Sequence, residues 1–247
     1  MPGLQGRAAL VTGGSRGIGA AVARRLAADG ADVAITYASA ADRAAAVVAD
    51  IEARDRRAIA LQGDGRDAKA VRGAVEQAAA ELGRLDILVN NAGVFPYGPF
   101  EDVTLEELDE TLALHVRAAF VAAQAASGHM NGDSGRIITI GSSIAQRVAV
   151  PHVALYAMTK TALSGLTRGL ARDLGPRGIA VTMVHPGPTD TDMNPSDGPG
   201  ADEERSLTAF GRYGTADDIA ATVAHLAGDG GRSITGAEIS VDGGYSA

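Results

Sequence analysis

The chain has 247 residues, 46% of them hydrophobic, and it contains no cysteine. This composition excludes a disulfide scaffold, a thiol nucleophile and a cysteine-ligated metal site, so redox chemistry in this protein requires a bound organic cofactor. The formal net charge of −8 disfavours binding to nucleic acid or to an anionic membrane surface and leaves small molecules as the expected ligands.

Short apolar runs alternate with longer segments of helical periodicity along the whole chain. The short runs predict about seven strands, at residues 7–11, 32–36, 58–62, 87–90, 136–140, 180–184 and 238–241. The longer segments predict helices at residues 17–28, 41–54, 68–82, 105–126, 153–174 and 216–226. Thr104 and Thr215 each stand three residues before an acidic residue, which is the spacing of a capping box at a helix start.

The predicted strands are continuously apolar, which is typical of parallel strands buried on both faces. Their alternation with helices predicts an α/β fold with a Rossmann-type doubly wound sheet of about seven parallel strands flanked by helices. Neither a repeat nor a long polar linker divides the sequence, so we expect a single domain over residues 1–247. The sequence shows no secretory signal and no membrane-spanning run, and we expect a cytoplasmic protein.

A glycine-rich loop follows the first predicted strand and precedes the first predicted helix. Glycines in this context permit a tight turn and let backbone N–H groups at a helix start approach a pyrophosphate. The loop therefore predicts a dinucleotide-binding site that includes Gly13, Ser15, Arg16, Gly17, Ile18 and Gly19.

The end of the second strand indicates which dinucleotide binds. NAD sites usually place an acidic residue there to hold the adenosine ribose, but this chain has Tyr37 and Ser39 in that stretch and no carboxylate. Arg16, Ser39 and Arg43 are instead suited to a ribose phosphate. We therefore predict NADP(H) as the cofactor, with Tyr37 and Ser39 in its site.

The third and fourth strands add further candidates at the same edge of the sheet. Asp64 and Gly65 follow the third strand, where a carboxylate can accept a hydrogen bond from the adenine amino group. Asn91, Ala92 and Gly93 follow the fourth strand. Small residues there permit close backbone approach, although Asn and Gly also favour plain turns.

The segment from Tyr156 to Lys160 carries the strongest chemical signal. Residues four apart share one face of a helix, so the Lys160 ammonium can lie close to the Tyr156 phenol. A neighbouring cation favours the phenolate and brings the tyrosine pKa toward the range that suits proton transfer. Ser142 and Ser143 follow the fifth strand, where a hydroxyl can hydrogen-bond a substrate oxygen.

Together these motifs resemble the short-chain dehydrogenase/reductase family in order and spacing, over essentially the whole chain. The resemblance rests on residues 12–19, 90–93, Ser142 with Tyr156 and Lys160, 186–191 and 235–244. It implies an NADPH-dependent oxidoreductase that reduces a ketone or 3-oxoacyl group to an alcohol in a reversible reaction, as in the 3-oxoacyl-(acyl carrier protein) reductases.

The resemblance also implies a role for each matched residue. Tyr156 is the general acid, Lys160 lowers the tyrosine pKa and binds the nicotinamide ribose, and Ser142 polarises the substrate carbonyl. The cofactor is lined by Asn91, Ala92, Gly93, Pro186, Gly187, Thr189 and Thr191, with the two threonines on its carboxamide. Ser143 is the alternative to Ser142, because the commoner family spacing to the tyrosine selects it.

His115 stands where the family has a catalytic asparagine, which is thought to hold a water that links the lysine to solvent. Histidine also donates and accepts hydrogen bonds, and it titrates near neutral pH. We therefore include His115 among the catalytic residues, as a proton relay or a pH-dependent gate. The alternative is a helix residue with a purely packing role. The other histidines show no ligand spacing, and no metal site is predicted.

Two other functions remain open at this point. Residues 184–195 are similar to a bacterial subgroup of cyclic-di-GMP-binding biofilm dispersal proteins, which implies a dinucleotide-binding regulatory protein with weak or secondary reductase activity. An epimerase or dehydratase version of the same site is the other alternative. The expected partners are a small carbonyl or alcohol substrate and further copies of the chain, because the resemblance implies a homotetramer or homodimer. Residues 186–213 are expected to contain a lid over the bound cofactor.

Overall fold

Strands and helices alternate in the computed structural model of the protein, which describes residues 3–130 and 132–247. The strands are β1 (Ala8–Val11), β2 (Asp32–Tyr37), β3 (Ala58–Gln62), β4 (Ile87–Asn90), β5 (Arg136–Ile140), β6 (Ala180–Pro186), β7 (Thr189–Asp190), β8 (Gly214–Thr215) and β9 (Ala237–Val241). The helices are α1 (Gly17–Ala28), α2 (Ala41–Glu52), α3 (Ala68–Leu82), α4 (Leu105–Leu112), α5 (Ala118–His129), α6 (Ala154–Leu174), α7 (Ala201–Ser206) and α8 (Ala216–Ala227).

Within the described residues, seven strands pair side by side in the order β3-β2-β1-β4-β5-β6-β9. All of these pairs are parallel, which confirms the predicted doubly wound α/β fold. The strand order reverses between β1 and β4. In such sheets the ligand crevice opens at this point, beyond the carboxyl ends of the strands.

Helices cover both faces of the sheet, and alternate residues of a strand pack on opposite faces. Ala9 and Val11 of β1 pack in the core under α1, α2 and α8, whereas Leu10 packs in the core under α3, α5 and α6. Both side-chain rows of a central strand are therefore buried, which accounts for its continuously apolar sequence.

The predicted helix at 105–126 is present, but it is not a regular α-helix throughout. The structure has α4 and α5 in its place, joined by a π-helical turn at Ala113–Arg117, and α5 continues to His129. A π turn accommodates one more residue than an α turn and is often found at functional sites. Apolar periodicity did not reveal it, because helical spacing is kept on either side.

Three short elements lie in the connection after β6 and were not predicted. They are α7 and the strands β7 and β8, which pair with each other. Across the described residues, no helix combines the length and apolarity needed to cross a membrane.

Candidate active site

The loop between β1 and α1 turns at two glycines. Gly13 and Gly17 have φ angles of +65° and +51°, in the left-handed region that favours glycine. A Cβ atom on Gly13 would lie 2.9 Å from the Cα atom of Ala92, so the loop packs directly on the chain after β4. The first turn of α1 contains no acidic residue, and its N–H groups favour an anion.

Thr12 and Asn91 fasten this loop to the one that follows β4. The Thr12 hydroxyl oxygen accepts the N–H groups of Asn91 and Ala92, at 2.9 and 3.1 Å. The Asn91 side-chain amide donates to the carbonyl oxygens of Thr12 and Gly13, at 2.9 and 3.2 Å. These bonds fix the floor of the crevice where the strand order reverses.

The residues predicted for the adenosine half lie at the ends of β2 and β3. Tyr37 is the partly buried last residue of β2, and Ser39 is exposed just beyond it. Asp64 accepts the N–H of Arg66 at 2.8 Å and so is held within its own turn. A Cβ atom on Gly65 would lie 2.6 Å from Leu114 Cδ1, so this glycine permits close packing on the π-helical turn.

The chain after β6 passes over the start of α1. Pro186 is the last residue of β6, and the buried Thr189 donates its hydroxyl to the Gly187 carbonyl oxygen at 2.9 Å. The Thr191 methyl carbon would lie 3.5 Å from a Cβ atom on Gly17. The glycine loop and the segment predicted to hold the carboxamide therefore face each other.

Three predicted catalytic side chains meet at the carboxyl end of β5. Ser142 follows the strand, and its side chain lies near enough to the Tyr156 phenol to lower the pKa of that group. The Lys160 ammonium lies 5.6 Å from the centroid of the Tyr156 ring and donates to the Ile140 carbonyl oxygen at 3.1 Å. Ser143 begins a short 3₁₀ turn and is buried, as Ser142 is, and of the two serines Ser142 is the one that affects the pKa of the tyrosine.

Burial controls the ionisation of this cluster. It raises the pKa of Tyr156 to about 12, and the Ser142 side chain opposes that change. It also lowers the pKa of Lys160 to about 8. The resemblance implied that Lys160 brings the tyrosine pKa below its ordinary value. In the structure that pKa lies above it, because loss of water disfavours the phenolate.

His115 lies in the middle of the π-helical turn and is buried. Its Nε2 atom accepts the Val94 N–H at 3.0 Å, and its Nδ1 atom lies 2.9 Å from the Thr159 hydroxyl. Because Nε2 is an acceptor, the ring proton is on Nδ1 and is donated to Thr159, whose hydroxyl donates to the Tyr156 carbonyl oxygen at 2.9 Å. The ring thus links the loop after β4 to the helix of the tyrosine.

The expected titration of His115 near neutral pH is wrong. Burial, together with the Lys160 charge, lowers the pKa of His115 to about 3. The ring is therefore neutral at physiological pH and does not gate the site in that range.

The sequence interpretation missed His185, whose ring hydrogen-bonds to the backbone of Ser142. His185 is fully buried in β6, with Nδ1 2.8 Å from the Ser142 carbonyl oxygen and Nε2 3.0 Å from the Glu238 carboxylate. Glu238 also accepts hydrogen bonds from Ser164 and Arg168, at 2.8 and 2.6 Å. These partners come from α6 and β9, so no local sequence motif could have revealed the cluster.

The residues present fit a dinucleotide. The open N–H groups at the start of α1 suit its pyrophosphate, and Arg16 and Arg43 lie close enough to bind one carboxylate in common. Lys160 and Ser142 lie at the opposite end of the crevice, where the nicotinamide would be held. Within the described residues, no group of three or more His, Asp or Glu side chains is arranged to hold a metal ion.

Comparison with known proteins gives matches over almost the entire chain. A family model described as enoyl-(acyl carrier protein) reductase matches residues 13–246. A short-chain dehydrogenase from Burkholderia cenocepacia J2315, solved in complex with NADP, is 60% identical over 99% of each chain, with a TM-score of 0.97. A blue fluorescent protein from a metagenomic library, solved in complex with NADPH, is 56% identical over 99% of each chain, with a TM-score of 0.96.

A third relative has a name from a different functional class. The cyclic-di-GMP-binding biofilm dispersal mediator protein of Escherichia coli strain K12 is 41% identical over 100% of each chain. The extent of these matches, and the cofactors in the two solved structures, agree with the glycine loop and with the Tyr156–Lys160 pair. The chain therefore belongs to the short-chain dehydrogenase/reductase family and is an NADP-dependent oxidoreductase.

Proposed function

We propose that the protein uses NADPH to reduce a ketone or 3-oxoacyl group to an alcohol, reversibly, with Tyr156 as general acid and base. The observation that carries this proposal is the meeting of Tyr156, Ser142 and Lys160 at the carboxyl end of β5. The cofactor, when bound, supplies the hydride that attacks the carbonyl carbon.

The three side chains manage the charge and the proton on the substrate oxygen. A tyrosine pKa of about 12 keeps Tyr156 a phenol at neutral pH, so it holds the proton that reduction consumes. As the carbonyl oxygen gains negative charge, Ser142 donates a hydrogen bond to it and Tyr156 transfers its proton. Lys160, charged at neutral pH with a pKa of about 8, stabilises the phenolate that is left.

The first experiment removes the proton donor. Tyr156→Phe keeps the ring and deletes the hydroxyl, so turnover is expected to fall below detection while NADPH binding stays largely intact. Ser142→Ala is expected to lower kcat by about a hundredfold, as loss of one stabilising donor does elsewhere. Ser143→Ala is the matched control and is expected to stay within about threefold of the wild-type kcat. Retained turnover in Tyr156→Phe would exclude this mechanism.

Aromatic side chains beside Tyr156 indicate the kind of ketone. The Phe95 ring lies edge-on to the Tyr156 ring, with centroids 4.8 Å apart, and the Tyr97 ring follows at 6.1 Å from Phe95. Phe95 and Tyr97 are 41% and 62% exposed. Beyond Tyr97, a cavity of about 160 Å³ is lined by Phe100 and His152 but also by Asp102 and Glu107, so the apolar surface at the site is that of the two rings. Apolar surface of this kind at a site favours an apolar ligand.

We therefore propose a medium-sized apolar ketone, with its hydrophobic part along Phe95 and Tyr97. A panel of aryl and alkyl ketones, assayed with NADPH and with NADH at several pH values, tests this assignment. Aryl ketones are expected to show the higher kcat/KM, and Tyr97→Ala is expected to reduce that advantage. Equal values for short alkyl ketones would contradict the substrate class without affecting the proton-transfer mechanism.

A second candidate is a cyclic-dinucleotide-binding regulatory protein with secondary reductase activity. It is favoured by the full-length identity to the biofilm dispersal mediator protein of E. coli, and a shared fold leaves the function open. Calorimetric titration with cyclic-di-GMP separates the two. Binding without turnover of any ketone would support the regulator, whereas turnover without binding would support the reductase.

A further inference from the structure

The carboxylate of Asp192 binds both arginines of the adenosine half. Its Oδ2 atom accepts hydrogen bonds from Arg43 at 2.7 Å and from Arg16 at 3.1 Å. Arg16 immediately precedes α1, Arg43 lies in the first turn of α2, and Asp192 follows β7 in the predicted lid. One side chain of the lid thus links the residue before α1 to the first turn of α2.

The same carboxylate lies over the start of α1. Its Oδ1 atom would be 3.8 Å from a Cβ atom on Gly17, the first residue of that helix. The positive end of a helix and two guanidinium groups together form a site for an anion. Burial opposes ionisation of Asp192, but hydrogen bonds and charge from Arg43 and Arg16 outweigh it, and the pKa of the carboxyl is held below its usual value.

We propose that Asp192 is an internal competitor for the 2′-phosphate of NADP(H), holding Arg16 and Arg43 until the phosphate displaces it. A phosphate carries more negative charge than a carboxylate and offers three acceptor oxygens, so it is the stronger partner for two arginines. NAD(H) has no group that displaces Asp192. Asp192 therefore weakens the binding of NADP(H) but not that of NAD(H). This inference rests on NADP binding and not on the proposed ketone reduction.

Displacement of Asp192 also removes the ion pairs that tie the lid segment, residues 186–213, to Arg16 and Arg43, although Thr191 still lies beside Gly17. The rest of the segment is held by other bonds. Asn194 and Tyr213 both bond to the Glu204 carboxylate, at 2.8 and 3.0 Å, and Gly187 and Phe210 donate their N–H groups to the carbonyl oxygens of Val241 and Gly243, at 3.2 and 3.0 Å. Asp192 is the residue of the segment that joins Arg16 and Arg43. Binding of the phosphate is thus coupled to a looser attachment of the lid segment at Asp192.

Calorimetry with fragments of the cofactor tests the competition. An internal competitor raises the apparent Kd of its rival by a factor set by its own occupancy, and exposed ion pairs are individually weak. We expect Asp192→Asn to bind adenosine 2′,5′-bisphosphate about three- to tenfold more tightly than the wild type. The Kd of AMP, which lacks the 2′-phosphate, is expected to change by less than about twofold.

Two controls locate the effect. Asp190→Asn removes a neighbouring carboxylate that accepts the Ser196 N–H and is expected to leave the bisphosphate Kd unchanged. In an Arg43→Ala background, Asp192→Asn is expected to gain less than about twofold, because the shorter contact is already lost. Circular dichroism of each variant verifies that it is folded. Unchanged or weaker bisphosphate binding by folded Asp192→Asn would overturn the proposal.

Limited proteolysis measures how accessible the lid segment is, independently of ligand affinity. Trypsin can cut after Arg205 and Arg212, which lie in the lid segment. Asp192→Asn is expected to be cut faster than the wild type without ligand. Adenosine 2′,5′-bisphosphate is expected to accelerate cleavage of the wild type and to leave the rate for the variant unchanged. Protection of the wild type by this ligand would show that Asp192 closes over the phosphate, and would contradict the competition.

Discussion

The buried neutral ring of His115 makes the stability of the protein depend on pH. Its pKa is about 3 in the folded protein, against an ordinary value of 6.5. Between these values the unfolded chain binds a proton that the folded protein excludes, so stability is full above pH 6.5 and falls on acidification, by about 1.4 kcal/mol per pH unit. We predict that His115→Asn loses about 2 kcal/mol less than the wild type between pH 7.5 and pH 5.0.

Urea denaturation at the two pH values measures this difference. His225→Asn is the matched control, because His225 is exposed, and it is expected to keep the wild-type pH dependence. An equal loss of stability in His115→Asn and the wild type would show that the ring is charged in the folded protein.

The same variant tests the part that His115 plays in catalysis. An asparagine amide also donates and accepts, so it can replace the ring between Val94 and Thr159. His115→Asn is therefore expected to retain or raise carbonyl reduction at pH 7. A hundredfold loss of kcat would mean that the site requires an imidazole.

Individual residues differ in how visible they are in the sequence. Tyr156 and Lys160 are predictable because four-residue spacing places them on one helix face. His185 and Glu238 are not, since they lie 53 residues apart and meet only when β6 pairs with β9. Asp192 was also overlooked, because its partners belong to loops that precede it by 149 and 176 residues.

At the scale of elements, Glu238 joins β9 to β6 and α6. It bonds to His185, Ser164 and Arg168, and hydrogen bonds to charged groups typically contribute about 1.5–3 kcal/mol each. Glu238→Ala is predicted to lower the free energy of unfolding by about 2 kcal/mol, measured by urea denaturation. It is also predicted to lower kcat more than it changes the Kd of NADPH, because His185 then supports Ser142 less firmly.

A surface pair between α3 and α5 is the control for Glu238. Glu76→Ala removes the partner of His129, which is more exposed, and it is expected to change the unfolding free energy by less than about 0.5 kcal/mol. A similarly small change in Glu238→Ala would show that the buried cluster adds no net stability.

The start of α8 is fixed by a capping box that the sequence predicts. The Thr215 side chain accepts the Asp218 N–H at 3.2 Å, and Asp218 accepts the Thr215 N–H at 2.8 Å. Thr215→Ala is predicted to lower the unfolding free energy by about 1 kcal/mol while leaving the Kd of NADPH unchanged. Thr222→Ala, inside the same helix, is expected to lower the unfolding free energy by less. Equal losses in the two variants would show that the cap does not stabilise the start of α8.

Strand positions were predictable to within about two residues because buried parallel strands are short, apolar and bounded by polar turns. The strand pair β7–β8 and the helix α7 were not predictable in this way. They are two to six residues long, and they depend on contacts such as those of Asn194 and Tyr213 with Glu204 rather than on local periodicity.

At the scale of the whole molecule, α5 and α6 present apolar side chains to solvent. Phe120 and Met158 are 50% and 47% exposed. We propose that these helices form the contact between copies in a homodimer or homotetramer. Light scattering is expected to give a multiple of the chain mass, and Phe120→Glu to shift it toward the monomer. Ala46→Glu, on the exposed face of α2, is the control and is expected to keep the wild-type mass.

The π-helical turn at Ala113–Arg117 has a consequence for comparing chains of this kind. An α-helix advances about 100° per residue, so one extra residue in a regular helix would rotate everything after it by that angle, whereas a π turn takes up the extra residue within itself. In an alignment the turn appears as a one-residue insertion inside a helix. A relative that lacked this residue would form an ordinary α turn there and keep the same face of α5 toward the sheet, and an alignment drawn without a gap would then pair every residue of α5 with the wrong neighbour.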